Sequence, residues 1–198
     1  MAGLIFFDTN QYTGIDAIYA ALKSIPNFWD ETDDENKTLT KGGITLEVSA
    51  TTTKGIRGYG WGATGYEFDN KTVSLIAATE KGLVFTNGVY AMGIGCNEDG
   101  VWAAGYGYDS PSSSSIDITN MIAPNVTAVL ITGSDVGADE CASNYQIIDL
   151  VHPKGNFICA DLRLVRLYTP GTKNYRGRLT MPNGEKYVKC GVFALRYT

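Results

Sequence analysis

The sequence predicts a mainly β protein, an antiparallel β-sandwich or barrel with one short N-terminal amphipathic helix. Glycine makes up 23 of the 198 residues, and the 12 tyrosines outnumber the 7 phenylalanines, a composition that favours tight turns and half-exposed aromatic strands. Segments in which apolar and polar residues alternate recur along the chain, separated by Asn-Gly and Asp-Gly pairs typical of type I′ turns. The length allows one domain, and a hydrophobic share of 44% argues against disorder.

The first predicted element is a helix over residues 13–25. Thr13 is the expected N-cap, Asp16 stands in the capping-box position, and Pro26 ends the helix. A helix of this length is marginal in water, so its apolar face needs a surface of the protein's own β domain or of a partner subunit. That face is formed by residues spaced three and four apart: Ile15, Ile18, Tyr19, Leu22 and Ile25.

A run of five acidic residues in six positions, residues 30–35, follows the helix. It divides the chain into an N-terminal helix and acidic loop (residues 1–36) and a β domain (residues 37–198). Residues 1–30 are expected to form an assembly element or docked cap outside the β core. The serine-rich stretch at residues 110–115 is expected to be a flexible seam within the β domain.

Strands are predicted from period-two alternation and from apolar runs bounded by turn residues. The last of them is read as one strand in which Lys189 faces solvent, opposite Val188 and Cys190. The predicted strands cover residues 44–49, 73–78, 83–85, 89–94, 101–104, 126–132, 145–151, 157–168 and 187–197.

The charged residues behind the net charge of −5 are unevenly distributed along the chain. The first 160 residues contain eight basic and nineteen acidic residues, a net −11, and residues 161–198 contain eight basic and two acidic residues, a net +6. One interpretation is a solvated acidic loop with ordinary exposed Arg and Lys. The other is electrostatic complementarity between copies or neighbours in an assembly. Residues 30–35 are the negative candidates, and Arg176 and Arg178 the positive ones.

No motif predicts catalysis, a cofactor or a metal site. Residues 60–65 match Gly-x-Gly-x-x-Gly, but no helical apolar stripe follows, and a tryptophan occupies the space that a phosphate would need. His152 lies at a strand end without a nucleophile motif nearby. We therefore expect a protein that is not an enzyme, and a small enzyme remains the least favoured alternative.

The four cysteines lack zinc-site spacing. They are predicted to be free, buried thiols, although their even number would allow disulfides. Cys159 and Cys190 lie within apolar alternating runs, which favours burial. The N-terminus lacks the features of a signal peptide, and no apolar stretch approaches the roughly 20 residues of a membrane span. A non-secreted protein without membrane contact is expected.

Two glycine-rich stretches carry aromatic residues that little else would cover. Such rings either pack in the core or at an edge, or they bind sugars or a protein partner. Direct nucleic-acid binding is not expected, since only Lys54 and Arg57 lie close by in sequence. The binding candidates are Tyr59, Trp61 and Tyr66 in the first stretch, and Trp102, Tyr106 and Tyr108 in the second.

The whole pattern resembles that of small structural proteins of tailed-bacteriophage virions. The resemblance is carried by the β-rich chain without catalytic motifs, the short N-terminal helix and the closing run of residues 184–198, Gly-Glu-Lys-Tyr-Val-Lys-Cys-Gly-Val-Phe-Ala-Leu-Arg-Tyr-Thr. It implies a subunit of a head, neck, tail or baseplate that assembles in the host cytoplasm with copies of itself and other virion proteins. The alternative is a carbohydrate- or receptor-binding β module that uses exposed Trp and Tyr on host-surface glycans. For this alternative, the Ala-Leu-Arg-Tyr near the end of the chain (residues 194–197) is similar to the C-termini of C-type-lectin-like domains in phage receptor-binding proteins.

Overall fold

The computed structural model describes residues 2–49, 56–58, 68, 71–86, 90–96, 100, 102–108, 121–122, 129–130, 145–151, 158–167, 177–180, 184–190 and 193–198. Its first half contains β1 (Leu4–Asp8), β2 (Tyr12–Thr13), α1 (Ile15–Lys23), β3 (Glu31–Asp33), β4 (Thr38–Lys41), β5 (Ile44–Glu47), β6 (Ile56–Gly58), β7 (Thr72–Val73), β8 (Leu75–Thr79) and β9 (Gly82–Thr86). Its second half contains β10 (Tyr90–Cys96), β11 (Trp102–Tyr108), β12 (Met121–Ile122), β13 (Val129–Leu130), β14 (Tyr145–Val151), β15 (Ile158–Leu167), β16 (Gly177–Thr180), β17 (Lys186–Cys190) and β18 (Phe193–Arg196).

These strands form antiparallel sheets, which confirms the prediction of a mainly β protein with one helix for the part of the chain described. A first sheet has the order β1-β8-β9-β10-β11-β12, and a second sheet has the order β13-β14-β15-β18-β17-β16. A four-stranded sheet follows the order β3-β4-β5-β6, and β2 pairs with β7. The described strands close into no barrel.

The main apolar core lies between the first sheet and the layer formed by α1 and the four-stranded sheet. Alternate residues of β8, β9 and β10 point into it, because successive side chains of a strand point to opposite faces. The helix contributes Ile18 and Leu22, both fully buried. The other fully buried members include Leu39, Ile44, Leu46, Ile76, Leu83, Phe85, Met92 and Ile94.

The opposite face of the first sheet contacts the second sheet. Strands β9 and β10 lie against β15, β17 and β18. A Cβ atom added to Gly82 in β9 would lie 2.5 Å from Cδ1 of Leu195 in β18, so the β9 backbone and the Leu195 side chain lie close together. The alternate residues of β8 and β9, such as Ala77 and Val84, are accordingly buried as well.

The helix begins two residues later than predicted. Its N-cap is Gly14, with φ 88° and no side-chain hydrogen bond to the helix. Thr13 belongs to β2, where its hydroxyl oxygen lies 2.8 Å from that of Thr72, so its predicted capping role is wrong. The buried face falls at Ile18, Tyr19, Ala21 and Leu22, and α1 ends at Lys23, ahead of Pro26, as the sequence indicates.

The expectation that residues 1–30 lie outside the β core is also wrong. β1 pairs with β8 as a strand of the first sheet, and α1 supplies two fully buried residues of the core. The acidic run is not a loop either: residues 31–33 form β3, which pairs with β4 through a turn. Neither run alternates between apolar and polar residues, which is the clearest local signal for a strand, and neither is among the predicted strands.

The C-terminal strand predicted at residues 187–197 is a hairpin of two strands. β17 and β18 pair antiparallel, with Cys190 opposite Phe193 and Lys189 opposite Ala194. Lys189 is buried, with 1% of its surface exposed, instead of facing solvent. The prediction of a single strand with one solvent-facing side is wrong, because residues 187–190, which alternate between the two faces of β17, are all buried.

The other predicted strands are recovered with small shifts, except that only residues 129–130 of the strand predicted at residues 126–132 are described, as β13. The one predicted at residues 73–78 is divided between β7 and β8, which belong to different sheets. The one predicted at residues 145–151 matches β14. The seam predicted at residues 110–115 lies outside the described residues. No helix among the residues described is long and apolar enough to cross a membrane.

Candidate functional site

The tight turn between β4 and β5 lies against the first residue of β11. Gly42 and Gly43 occupy this turn with φ angles of 55° and 80°, the positive values that a type I′ hairpin turn requires at both central positions. A Cβ atom added to Gly42 would lie 1.8 Å from Cδ1 of Trp102. The indole therefore rests directly on the Gly42 backbone and joins the four-stranded sheet to the first sheet.

Two further side chains complete the surroundings of the Trp102 indole. The Phe28 ring meets it edge to face, with 5.9 Å between centroids, a geometry that aromatic pairs favour. The Lys41 ammonium lies 5.0 Å from the Trp102 centroid and 5.5 Å from that of Phe28, within cation–π range. Trp102 is half-buried as a result. We call these residues, together with Gly42 and Asp30, the Trp102 cluster.

The Asp30 side chain holds both the Lys41 ammonium and the backbone of the β4–β5 turn. Its carboxylate accepts hydrogen bonds from Gly42 N, at 2.7 Å, and from Lys41 Nζ, at 3.0 Å. The hydrogen bond from Gly42, followed by that from Lys41, lowers the pKa of Asp30. The backbone N–H of Asp30 donates to Thr40 O at 2.8 Å. The charges of the cluster thus compensate each other, and its rings are engaged in packing.

A second network of charges ties α1 to the β3–β4 hairpin. Asp34 accepts hydrogen bonds from Lys23 Nζ, at 2.5 Å, and from the Tyr19 hydroxyl, at 2.8 Å. Burial of Tyr19, followed by the hydrogen bond of its hydroxyl to Asp34, raises the pKa of Tyr19. Lys37 pairs with Asp16 at 2.9 Å. All three lysines of residues 15–49 are therefore engaged by carboxylates of the same segment.

The acidic side chains of this segment outnumber its bases. Residues 15–49 carry seven acidic and three basic residues, a net −4, and Glu31 and Glu35 are exposed. The Asp33 carboxylate accepts hydrogen bonds from the N–H groups of Glu35 and Asn36 and from the Asn36 amide, and these bonds lower its pKa. We call residues 15–49 the acidic layer.

Arg178, a predicted interface residue, lies on β16 at the edge of the second sheet and is exposed. Its guanidinium carbon is 4.5 Å from the centroid of the Phe7 ring. Phe7 belongs to β1, the edge strand of the first sheet. The contact between Arg178 and Phe7 therefore shows that the β16 edge of the second sheet lies beside the β1 edge of the first sheet. Arg176 lies outside the described residues.

The other predicted binding residues are not brought together by the described part of the chain. Tyr106 and Tyr108 lie on β11, where their backbones pair with Met92 and Tyr90, but their side chains are not described. Tyr59, Trp61 and Tyr66 lie outside the described residues. Of the six aromatic candidates, Trp102 alone has a described side-chain environment, and that environment is a packing contact.

Sequence reasoning missed the partners of Trp102. The Gly42-Gly43 pair is a recognisable type I′ turn signal. The contact between Gly42 and Trp102 spans 60 positions and leaves no local trace. Phe28, Lys41 and Asp30 each look like ordinary boundary residues in the sequence.

Among the residues described, no group of three or more His, Cys, Asp or Glu could hold a metal ion. Cys96 and Cys190 are buried and form no disulfide, which agrees with the prediction for these two thiols. Cys141 and the side chain of Cys159 lie outside the description. The chain matches no known protein-family model, no curated protein and no solved structure.

Proposed function

We propose that the protein is a non-enzymatic structural subunit of a tailed-bacteriophage virion that assembles with copies of itself and with other virion proteins. It would act in the head, neck, tail or baseplate and pass through the host cytoplasm during assembly. The proposal is supported by the sequence resemblance and by the different net charges of the acidic layer and of the strands of the second sheet.

We infer that the two six-stranded sheets form a β-sandwich. Strands at corresponding positions of the two sheets face each other. β9 contacts β18, and β10 contacts β15. The edge strand β1 contacts the edge strand β16 through Phe7 and Arg178. Because the acidic layer packs on the other face of the first sheet, the molecule then has three layers. The acidic layer and the second sheet are the outer two.

These outer layers carry opposite charges. The acidic layer has a net charge of −4. The strands of the second sheet carry six basic and two acidic residues, a net +4, although Lys189 among them is buried and Arg196 pairs with Glu185 at 3.3 Å. Opposite signs on opposite sides support a heterologous contact, in which the acidic layer of one copy meets the second sheet of the next. Such contacts build closed rings or stacks, the forms that virion tubes and collars require.

The individual contributions in such a contact are small. An exposed ion pair contributes about 0 to 1 kcal/mol, less in high salt. Long-range attraction between the layers mainly raises the association rate and sets the orientation. Repetition around a closed ring then makes the assembly stable while leaving it sensitive to salt.

The test compares charge variants of equal net charge by light scattering and negative-stain microscopy. Glu31→Gln with Glu35→Gln removes two charges from the acidic layer. Asn10→Lys with Gln11→Lys raises the net charge by the same amount at exposed positions outside that layer. The first variant should reduce the mass of the oligomer at low salt, and the second should leave it unchanged.

Equal behaviour of the two variants, or an oligomer whose mass is unchanged in about 0.5 M salt, where the screening length is roughly 4 Å, would contradict charge-directed assembly. The location is tested separately, by immunogold labelling of purified phage particles with an antibody to this protein. Labelling at one fixed position is expected. Particles without label would exclude the virion.

The alternative, a module that binds host-surface glycans, stays a prediction for Tyr59, Trp61, Tyr66, Tyr106 and Tyr108. Trp102 is a weak candidate for it, because Gly42, Phe28 and Lys41 already surround its indole. Binding to a glycan array that is lost in Trp61→Ala but kept in Trp102→Ala would favour the alternative.

A further inference from the structure

The turn between β3 and β4 is held against α1 at both of its ends. At its first residue, the Asp34 carboxylate accepts hydrogen bonds from the Tyr19 hydroxyl and from Lys23 Nζ. At its last residue, Lys37 Nζ lies 2.9 Å from Oδ1 of Asp16 and 5.9 Å from the centroid of the Tyr19 ring. The three helix residues are spaced three and four positions apart, so they share one face of α1, and that face holds the turn.

Lys37 adopts a backbone conformation that lysine disfavours. Its φ is 51°, in the left-handed region, where a residue with a Cβ is strained and glycine is not. The Asp16 side chain with which it pairs is 88% exposed. An exposed ion pair and an exposed cation–π contact together contribute about as much as this strain costs. Lysine at this position therefore adds no net stability over glycine, and a strained residue of this kind points to a role of its side chain in function.

The turn that Lys37 holds carries an exposed glutamate of the acidic layer, Glu35. The N–H groups of Glu35 and Asn36 donate to the Asp33 carboxylate, at 2.9 Å and 3.1 Å, which fixes the backbone of the turn from within. The contacts of Lys37 fix the turn relative to α1. A side chain on a backbone that is already ordered loses less conformational entropy when it binds, so Glu35 is well prepared for contact with a partner.

We propose that Lys37 is a positioning residue for assembly: by holding the β3–β4 turn on α1, it presents the Glu35 carboxylate to the basic second sheet of the next copy. This role rests on the proposed function, because it takes the acidic layer as the surface that meets that sheet. The ammonium of Lys37 itself reduces the negative charge of the acidic layer. Charge and positioning therefore predict opposite effects when Lys37 is removed.

The experiment separates the two effects by their sign. Lys37→Gln makes the acidic layer more negative by one charge and removes the contact with Asp16. The matched control is Asn27→Asp, which makes the same change in charge at an exposed residue of the layer whose φ, 54°, is also positive. At low salt, the dissociation constant of the oligomer, measured by light scattering over a range of concentrations, should rise about threefold or more in Lys37→Gln. In Asn27→Asp it should stay equal or fall.

Two further variants distinguish positioning from stability. Lys37→Arg keeps the cation and should assemble like the wild type. Lys37→Gly removes the strained Cβ together with the side chain, so relief of strain offsets the lost contacts and the free energy of unfolding in urea should stay close to that of the wild type. Its oligomer should be weakened at least as much as that of Lys37→Gln.

A second measurement does not depend on assembly. In low salt, at protein concentrations below the dissociation constant of the oligomer, amide hydrogen exchange reports local opening of the single chain. The amides of Glu35 and Asn36 should exchange about threefold or more faster in Lys37→Gln than in Asn27→Asp.

The outcomes distinguish this proposal from the proposed function. Equal dissociation constants in Lys37→Gln and Asn27→Asp, unchanged exchange at Glu35 and Asn36, or weak assembly of Lys37→Arg would overturn the positioning role and leave charge-directed assembly standing. A large loss of stability in Lys37→Gly would also overturn it, because the role of the lysine would then be structural. A wild-type protein that stays monomeric at low salt at every concentration would overturn both.

Discussion

At the scale of single residues, Gly42 is held by two independent constraints. Its φ of 55° lies in the left-handed region, which costs a residue with a Cβ roughly 1 to 2 kcal/mol. The indole of Trp102 occupies the space in which that Cβ would lie. Backbone conformation and packing therefore require glycine at the same position.

Gly42→Ala should destabilise the protein by about 2 to 5 kcal/mol, the sum of backbone strain and overpacking. The matched control is Gly100→Ala, at φ 77° with nothing within 4 Å of an added Cβ. It should cost only the backbone contribution, about 1 to 2 kcal/mol. Urea unfolding measures both variants. Equal losses would show that Trp102 does not press on Gly42.

Asp30 contributes to stability through its charge. The native state holds its ionised form by two hydrogen bonds, which lowers its pKa below the ordinary value of 3.8. A group with a lowered native pKa stabilises the fold above its unfolded-state pKa. That contribution is lost as the pH falls through the native value.

Asp30→Asn should therefore lower the free energy of unfolding at pH 7 by about 0.5 to 1 kcal/mol, a modest value because the carboxylate is half-exposed and screened. The difference from the wild type should shrink as the pH falls below about 4. Urea unfolding from pH 7 to pH 3 checks both statements. A difference that stays constant with pH would assign the loss to packing instead of charge.

At the scale of elements, the predictable parts of the fold are those with a local signal. The apolar spacing of α1 and the alternation of β5 and β14 are visible in the sequence, and the structure has these elements close to the predicted bounds. β1 lacks that signal because an edge strand with four successive apolar residues shows no period. The burial of Lys189 depends on the hairpin of β17 and β18 and on the layers around it.

The integration of the N-terminal elements can be tested by truncation. A chain that starts at Asn36 lacks β1 and the fully buried Ile18 and Leu22 of α1. Truncating one buried leucine or isoleucine to alanine costs about 2 to 5 kcal/mol, and a domain has only about 5 to 15 kcal/mol in total. The truncated chain should lose its cooperative thermal transition in circular dichroism. A retained transition would restore the expectation of a separable cap.

At the scale of the whole molecule, the first sheet connects everything else. One face packs on the acidic layer and the other on the second sheet, so the two apolar regions share the same strands. The sequence shows the charge split along the chain, but it does not show on which side of a sheet each charged segment lies. That placement depends on strand order, which is a tertiary property.

The shared sheet predicts that both apolar regions unfold together. Cys96 lies in the first sheet and Cys190 in the second, and both are buried cysteines that form no disulfide. A thiol reagent should leave both unmodified in buffer and label both at one rate in increasing urea, as read by peptide mass spectrometry. Labelling of Cys190 at urea concentrations that leave Cys96 protected would show that the second sheet opens on its own.

The burial of β8 and β9 on both faces restricts how this sequence can change. All ten residues of the two strands are buried, so neither strand offers a position where a substitution would meet only water. A larger side chain at Ala77 or Val84 would press on the second sheet, and one at Ala78 would press on the core beneath the acidic layer. A substitution in either strand that changes side-chain size therefore requires a compensating substitution in a neighbouring layer. The turn between the strands, at Glu80 and Lys81, is exposed and can vary without such compensation.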